Sequence, residues 1–169
     1  MKRLVDQLFE LASLDEGDMT LALHRHNLGG IVRAVVPPLQ QWAEEKGLTF
    51  QVEEEGESLE AWVDADRVRN LLTSLVSNAI RQTPEGGRVR IRVGRADGGA
   101  EIAVRDTGPG LPDTLRERVF GDSESYIPLG EDVSGETGRN PEAVQWIGMG
   151  IGLAHAYALA RRHGGDLEV

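Results

Sequence analysis

Cysteine is absent from the chain, which excludes disulfide frameworks and cysteine-ligated zinc while leaving the redox compartment open. Aromatic residues are few, at Trp 3, Tyr 2 and Phe 3. Basic residues are outnumbered, with Lys+Arg 18 against Asp+Glu 28 and a net charge of −10. That balance argues against nucleic acid and anionic membrane surfaces, because phosphate contact rests on Lys and Arg. Long hydrophobic runs are missing too. Met1-Lys2-Arg3 is basic, but Asp6 and Glu10 interrupt the apolar residues that follow, so there is no secretory signal. No stretch approaches the roughly 20 apolar residues of a membrane span. The expectation is a soluble, cytoplasmic piece whose parent protein is free to be membrane-anchored. A length of 169 residues suits one domain with one substantial core.

What is present has order. Leu4, Leu8 and Leu11 repeat at i, i+4, i+7 and predict an amphipathic helix over 1–14, too short to persist in water without a partner surface. Asn27 is placed to cap a helix running to about Lys46, with Gly47 behind it. Pro37-Pro38 inside that helix predicts a kink or a split. Leu48 to Val52 and Ala61-Trp62-Val63 read as strands, with the acidic Glu53 to Glu57 as a turn between them. Asp64 or Asp66 caps a helix from about Arg67 to Gln82, striped by Val68, Leu71, Leu72, Leu75, Val76 and Ile80. Val89 to Val93 and Glu101 to Val104 form a hairpin around Asp97-Gly98-Gly99. Residues 121–146 have little periodicity and read as a lid or loop. A last helix is expected from about Ile151 to His163, with a strand beginning at Asp166.

Four features carry possible chemistry. Asn78 and Arg81 share a helical face. The amide oxygen suits magnesium and the guanidinium suits a phosphate, although the pair alone reads more simply as a solvated face. Asp106-Thr107-Gly108-Pro109-Gly110 follows a strand; a buried carboxylate there can accept from an exocyclic amine while the glycines admit a flat ring, or the segment is a plain turn. Gly148-Met149-Gly150-Ile151-Gly152-Leu153 is expected to open the last helix, where free amides and the helix dipole favour phosphate. Its spacing fits neither the dinucleotide fingerprint nor the Walker loop. The fourth is the lid-like stretch itself, with Tyr126 to Leu129 as its one apolar island.

Taken in order, these segments resemble the histidine-kinase branch of the ATPase superfamily that also contains DNA gyrase, the MutL repair proteins and a heat-shock chaperone. Leu72 to Ile80 with Thr83-Pro84-Glu85-Gly86-Gly87 is similar to that family's N box. Asp106 to Gly110 resembles its first glycine box, Val119-Phe120 the start of its phenylalanine box, and Gly148 to Ala154 its second glycine box. His163-Gly164-Gly165 matches a turn into a final strand. Residues 1–17 look like the end of a dimerisation helix and its linker, leaving 18–169 as an ATP-binding catalytic domain with a lid at about 121–146. Both chain ends are expected to be cut ends of a longer protein.

The resemblance implies an α/β two-layer sandwich of the Bergerat type, a mixed sheet of about five strands with three helices on one face. It implies ATP and Mg2+ as cofactors. Asp106 would take the adenine amine, Asn78 the magnesium and Arg81 a phosphate. Gly108, Gly110, Gly148, Gly150, Gly152 and Leu153 would shape the pocket. The implied reaction moves the γ-phosphoryl to a histidine on a dimerisation domain that these residues lack, so the fragment alone is not expected to autophosphorylate. The implied partners are that domain, a response regulator and a second copy in a homodimer, with no nucleic acid. Three positions depart from the pattern. Ser74 replaces a first asparagine, Gln82 an aromatic, and Gly121-Asp122-Ser123 a phenylalanine and arginine. Sister ATPases carry a glutamate base at the position of Ser74. A hydroxyl cannot replace that base, whereas a neutral imidazole acceptor makes less demand for one. The competing reading is a degenerate module that binds nucleotide or a partner without phosphotransfer. His24 and His26 are expected in a solvated linker.

Overall fold

Asn27 ends one strand and begins one helix, and Asp64 does the same for the next pair of elements. The computed structural model describes residues 20–56, 58–96, 99–113, 116 and 141–168, with 141–151 described by their backbone alone. The amphipathic segment 1–14, Phe120 and the stretch 121–140 therefore lie outside the described residues. Thr20–Gly110 forms one compact unit, and the segment after it belongs to another.

In the first unit the order is β1 (His24–Asn27), α1 (Leu28–Glu45), β2 (Thr49–Glu54), β3 (Glu60–Val63), α2 (Ala65–Gln82), β4 (Arg88–Ala96) and β5 (Gly99–Asp106). The class is α/β, as expected, but the strands form two ladders. β1 pairs antiparallel with β3, and β2-β4-β5 form a mixed sheet, parallel between β2 and β4 and antiparallel between β4 and β5. The short ribbon leads into both helices, because β1 runs into α1 at Asn27 and β3 into α2 at Asp64.

His24 and His26 thus lie on a strand, not in a linker. Their residues pair with Val63 and Ala61, and the two rings meet edge to face with centroids 6.4 Å apart. Histidine has weak strand preference, so it is the distant partner β3 that holds this segment extended. Glu53 and Glu54 are likewise in β2, not in a turn. Arginines make that acidic strand tenable. Glu53 faces Arg90 at 3.3 Å, and Glu54 is held by Arg33 of α1. Just beyond the strand, Glu55 is held by Arg92 at 2.8 Å, and this hydrogen bond lowers its carboxyl pKa. Opposite charges across neighbouring strands stabilise a pairing that the local sequence disfavours.

Helix α1 starts at its cap, where the Gly30 N–H donates to Asn27 Oδ1 at 3.0 Å. It runs unbroken through Pro37 and Pro38, so the expected split does not occur. Both prolines are exposed, as are Arg33 and Ala34, whose carbonyls lose their helical donors. On that solvent-facing side the freed carbonyls cost least. The opposite side buries Leu28, Ile31, Val32, Leu39 and Ala43. These residues join Leu72, Val76, Ala79 and Ile80 of α2 and Val89, Ile91 and Val93 of β4 in one hydrophobic core. Both helices thus cover the apolar face of β4, while Arg88, Arg90 and Arg92 alternate onto its other face.

Asp64 caps α2 through the Arg67 N–H at 3.2 Å and also accepts from the Ala22 N–H at 3.1 Å. Burial works to raise its pKa, but the amides of Arg67, Ala22 and Asp66 and the charge of Arg67 outweigh it, so the carboxyl titrates below its ordinary 3.8. A folded-state pKa below the unfolded one gives stability that is complete above 3.8 and fades as the pH falls through the folded value. Asp64→Ala should therefore cost about 1 kcal/mol at neutral pH, the usual worth of such a cap. Urea midpoints of parent and variant should converge in acid. A gap independent of pH would contradict the capping role.

In the second unit, helix α3 spans Pro141–Arg162. It begins ten residues before the expected Ile151, so Gly148, Gly150 and Gly152 lie within it and do not open it. Pro141 and Glu142 suit a first turn, which explains the earlier start. Leu153, Ala156 and Leu159 are buried at helical spacing. The helix closes where the Gly165 N–H donates to the Ala160 carbonyl at 3.0 Å. Residues 166–168 form no strand. The Asp166 carboxylate instead pairs with Arg161 at 3.4 Å.

Candidate functional site

The last turn of α2 and the loop after β5 come together at one end of the first unit. Asn78 is half-buried on α2, and Arg81, three residues on, is exposed. Ser74 lies one turn before Asn78, so all three occupy one side of the helix. Ser77, Ala79 and Ile80 face the core instead.

Asp106 is the last residue of β5. Its carboxylate is exposed, where a buried one was expected. It closes its own turn, with Oδ1 accepting from the Gly108 N–H at 2.7 Å. Short-range bonding of this kind is what an aspartate at a turn does when no buried donor competes. The loop is then fixed from β4. Thr107 N–H donates to the Arg88 carbonyl at 3.1 Å, and the Arg88 N–H donates to Thr107 Oγ1 at 2.9 Å. The threonine hydroxyl thus extends the ladder one step beyond the strand.

Gly108 shows how tightly this loop meets α2. A Cβ there would lie 2.7 Å from Asp106 Oδ1 and 3.2 Å from the Gln82 carbonyl oxygen. A side chain there would displace the Asp106 carboxylate and crowd the helix end, and its absence lets the loop backbone lie on that end. Gly110 has a φ of 77°, which only glycine adopts without strain. The carboxylate of Asp106 and the last turn of the Asn78 helix are thereby held in one neighbourhood.

Gly148, Gly150, Gly152 and Leu153 belong to the second unit. Their backbone is helical, so the amides there are bonded within α3 and the N-terminus that would face an anion is at Pro141.

Two contributors escaped the sequence reading. One is the Thr107 hydroxyl, hidden in a motif whose glycines draw attention. The other is Lys46. Its Nζ donates to the carbonyls of Ile80 at 2.8 Å, Arg81 at 2.8 Å and Thr83 at 2.7 Å. The available signal was that lysine occurs only at positions 2 and 46.

The end of the Asn78 helix and the loop headed by Asp106 thus lie against each other in the first unit. Residues 63–169 match the family described as histidine kinase-, DNA gyrase B- and HSP90-like ATPases, and the chain belongs to that family. Within it the chain is similar to the ATP-binding catalytic module of sensor histidine kinases. It is 32% identical over 172 residues to hybrid signal transduction histidine kinase D of Dictyostelium discoideum, covering 99% of this chain and 10% of that protein. The structure of full-length ShkA in complex with AMPPNP matches with a TM-score of 0.70 and 26% identity, over 94% of this chain and 30% of that one. Histidine kinase ThkA in complex with the response regulator protein TrrA matches with a TM-score of 0.59 and 25% identity, over 76% and 38%. The chain spans between 10% and 41% of the length of the first curated relatives.

Proposed function

We propose that this module binds ATP with magnesium and presents the γ-phosphoryl group to a histidine on a dimerisation domain outside these residues. The observation that supports it most is the seating of the Asp106–Gly110 loop on the end of α2. Asp106 Oδ2 receives the exocyclic amine of adenine while Oδ1 stays with the Gly108 N–H. Gly108 and Gly110 leave the ring room to lie against the backbone. Asn78 would hold the metal through its amide oxygen, and Arg81 would meet the phosphates. The family likeness assigns the phosphates to Gly148, Gly150, Gly152 and Leu153 of the second unit, whose amides would serve only with α3 open at these glycines.

The donors fit a magnesium that arrives on the nucleotide. Asn78 offers one amide oxygen, and among the described residues no group of three or more His, Asp or Glu is placed to hold a metal. Magnesium commonly takes one or two protein oxygens and fills its shell with phosphate and water. Bound there, it would offset charge on the transferring group. Asn78 orients, Arg81 attracts and Asp106 selects the base; transfer then depends on positioning, with no protein base required at Ser74.

A response regulator as partner, pairing of two copies and a cytoplasmic position extend the same reading to the whole protein. The likeness to ThkA bound to TrrA supports the first. Among the described residues, no helix is long and apolar enough to cross a membrane.

Calorimetry with and without magnesium tests the metal role. The parent should lose affinity when magnesium is chelated. Asn78→Ala should bind ATP at that lower level whether magnesium is present or not. A variant that retains the full metal response removes Asn78 from the role. Labelled ATP supplied together with a dimerisation domain tests transfer, and binding without transfer would favour the degenerate module.

A further inference from the structure

The turn after α1 is stitched to the turn after α2 by contacts between residues more than thirty positions apart. Lys46 Nζ holds the carbonyls of Ile80, Arg81 and Thr83. The Gly86 N–H donates to the Gly47 carbonyl at 3.0 Å, and the Thr49 N–H to the Gly87 carbonyl at 2.9 Å. Helix ends leave carbonyls without intrahelical donors, and here one ammonium takes three of them. Its positive charge also sits where the helix dipole is negative.

The same short stretch touches the glycine loop. Gly108 lies against the Gln82 carbonyl, between two residues whose carbonyls Lys46 holds. Gly87 sits beside Thr107 Oγ1, 2.9 Å from where its Cβ would be. Arg88, next along, exchanges two hydrogen bonds with Thr107. A displacement at the end of α2 is therefore passed to Asp106 through contacts already named, and to Asn78 through one turn of helix.

We infer that Lys46 is a positioning residue for the nucleotide site, holding the end of α2 so that the Asn78 side of the helix and the Asp106 carboxylate keep their separation. This rests on the reading of Asp106 and Asn78 as nucleotide contacts. The ammonium is suited to the task by shape. It offers three N–H groups in a tetrahedral array to three clustered carbonyls, whereas the planar fork of arginine suits a carboxylate or phosphate. The chain uses arginine for its ion pairs with Glu53, Glu54, Glu55 and Glu60 and lysine at this one clamp.

The lack of native cysteine makes a chemical rescue possible, since Lys46→Cys introduces the only thiol. Alkylation with 2-bromoethylamine restores an ammonium at nearly the original reach, while iodoacetamide adds a neutral group of similar bulk. ATP affinity in the presence of magnesium is measured by calorimetry well below the melting transition of every form, so that the folded fraction does not enter. The thiol and the amide-capped form should bind on the order of tenfold more weakly than the parent, as expected when ligand-holding groups shift slightly. The aminoethylated form should return to within about twofold of the parent, and Lys46→Arg should not. Unchanged affinity in Lys46→Cys, or a loss that aminoethylation fails to reverse, overturns the role. Asp106→Asn in the same assay separates the two ideas. If it loses ATP while Lys46→Cys keeps it, only the positioning role fails. If neither variant loses ATP, the nucleotide reading fails with it.

Discussion

Asp106→Asn should weaken ATP binding by roughly tenfold to a hundredfold, the worth of one hydrogen bond to a charged acceptor, while leaving the melting temperature nearly unchanged. The reason lies in the count of acceptors. The carboxylate has two oxygens; one takes the Gly108 N–H at 2.7 Å, and the other is assigned to the adenine amine. An asparagine keeps one oxygen and gains an NH2. If that oxygen stays with Gly108, the NH2 confronts the amine, donor against donor. If the amide flips to serve the amine, it confronts the Gly108 N–H and the loop loosens over Gln82. Either way one bond is lost. The exposed position of Asp106 on the last residue of β5 keeps the cost to the fold small. ATP and GTP compared by calorimetry give the sharper result, because GTP has no amine at that position and should fall much less. Equal losses for both nucleotides would remove Asp106 from base recognition.

Features set by nearby residues were legible in the sequence. Asn27 and Asp64 announced their helices because a cap acts within three residues. The hairpin was legible because Ala96 and Gly99 pair across two intervening residues. The places of Asn78, Arg81 and Asp106 could be read for the same reason: a helix face and a strand-end turn are local facts. What failed depended on partners far along the chain. His24–Asn27 becomes a strand only against Glu60–Val63. Glu53 and Glu54 are extended because β2 pairs with β4 far along the chain, with Arg90 and Arg33 beside their carboxylates. Lys46 looked like the ordinary polar end of a helix, and its three acceptors lie 34 to 37 residues away.

The start of α3 failed differently. Three glycines at 148, 150 and 152 weigh against helix locally, yet the turns on both sides favour it, and the helix runs through. Asp106 was placed correctly but with the wrong exposure, because burial depends on what covers a turn and not on the turn's own residues. Sequence thus named groups that the fold brings near one another at the end of α2. Structure added what holds them apart and together.

Ile80→Ala should be the most destabilising of the substitutions considered, by about 2–5 kcal/mol. Ile80 has no exposed surface and is among the largest fully buried side chains described. It sits in the core that joins α1, α2 and β4, where truncation leaves a cavity walled by two helices and a sheet. Against a total stability of about 5–15 kcal/mol, such a loss consumes a large fraction. The residue also lies between Asn78 and the clamp, and its own carbonyl accepts from Lys46 Nζ at 2.8 Å. That backbone bond survives the substitution, so the two consequences can be told apart. Urea unfolding should show a much lower midpoint with an unchanged slope. ATP affinity, measured where the variant is still folded, should change by no more than a few fold. A midpoint close to the parent's would mean that α2 does not rest on β4 through this side chain.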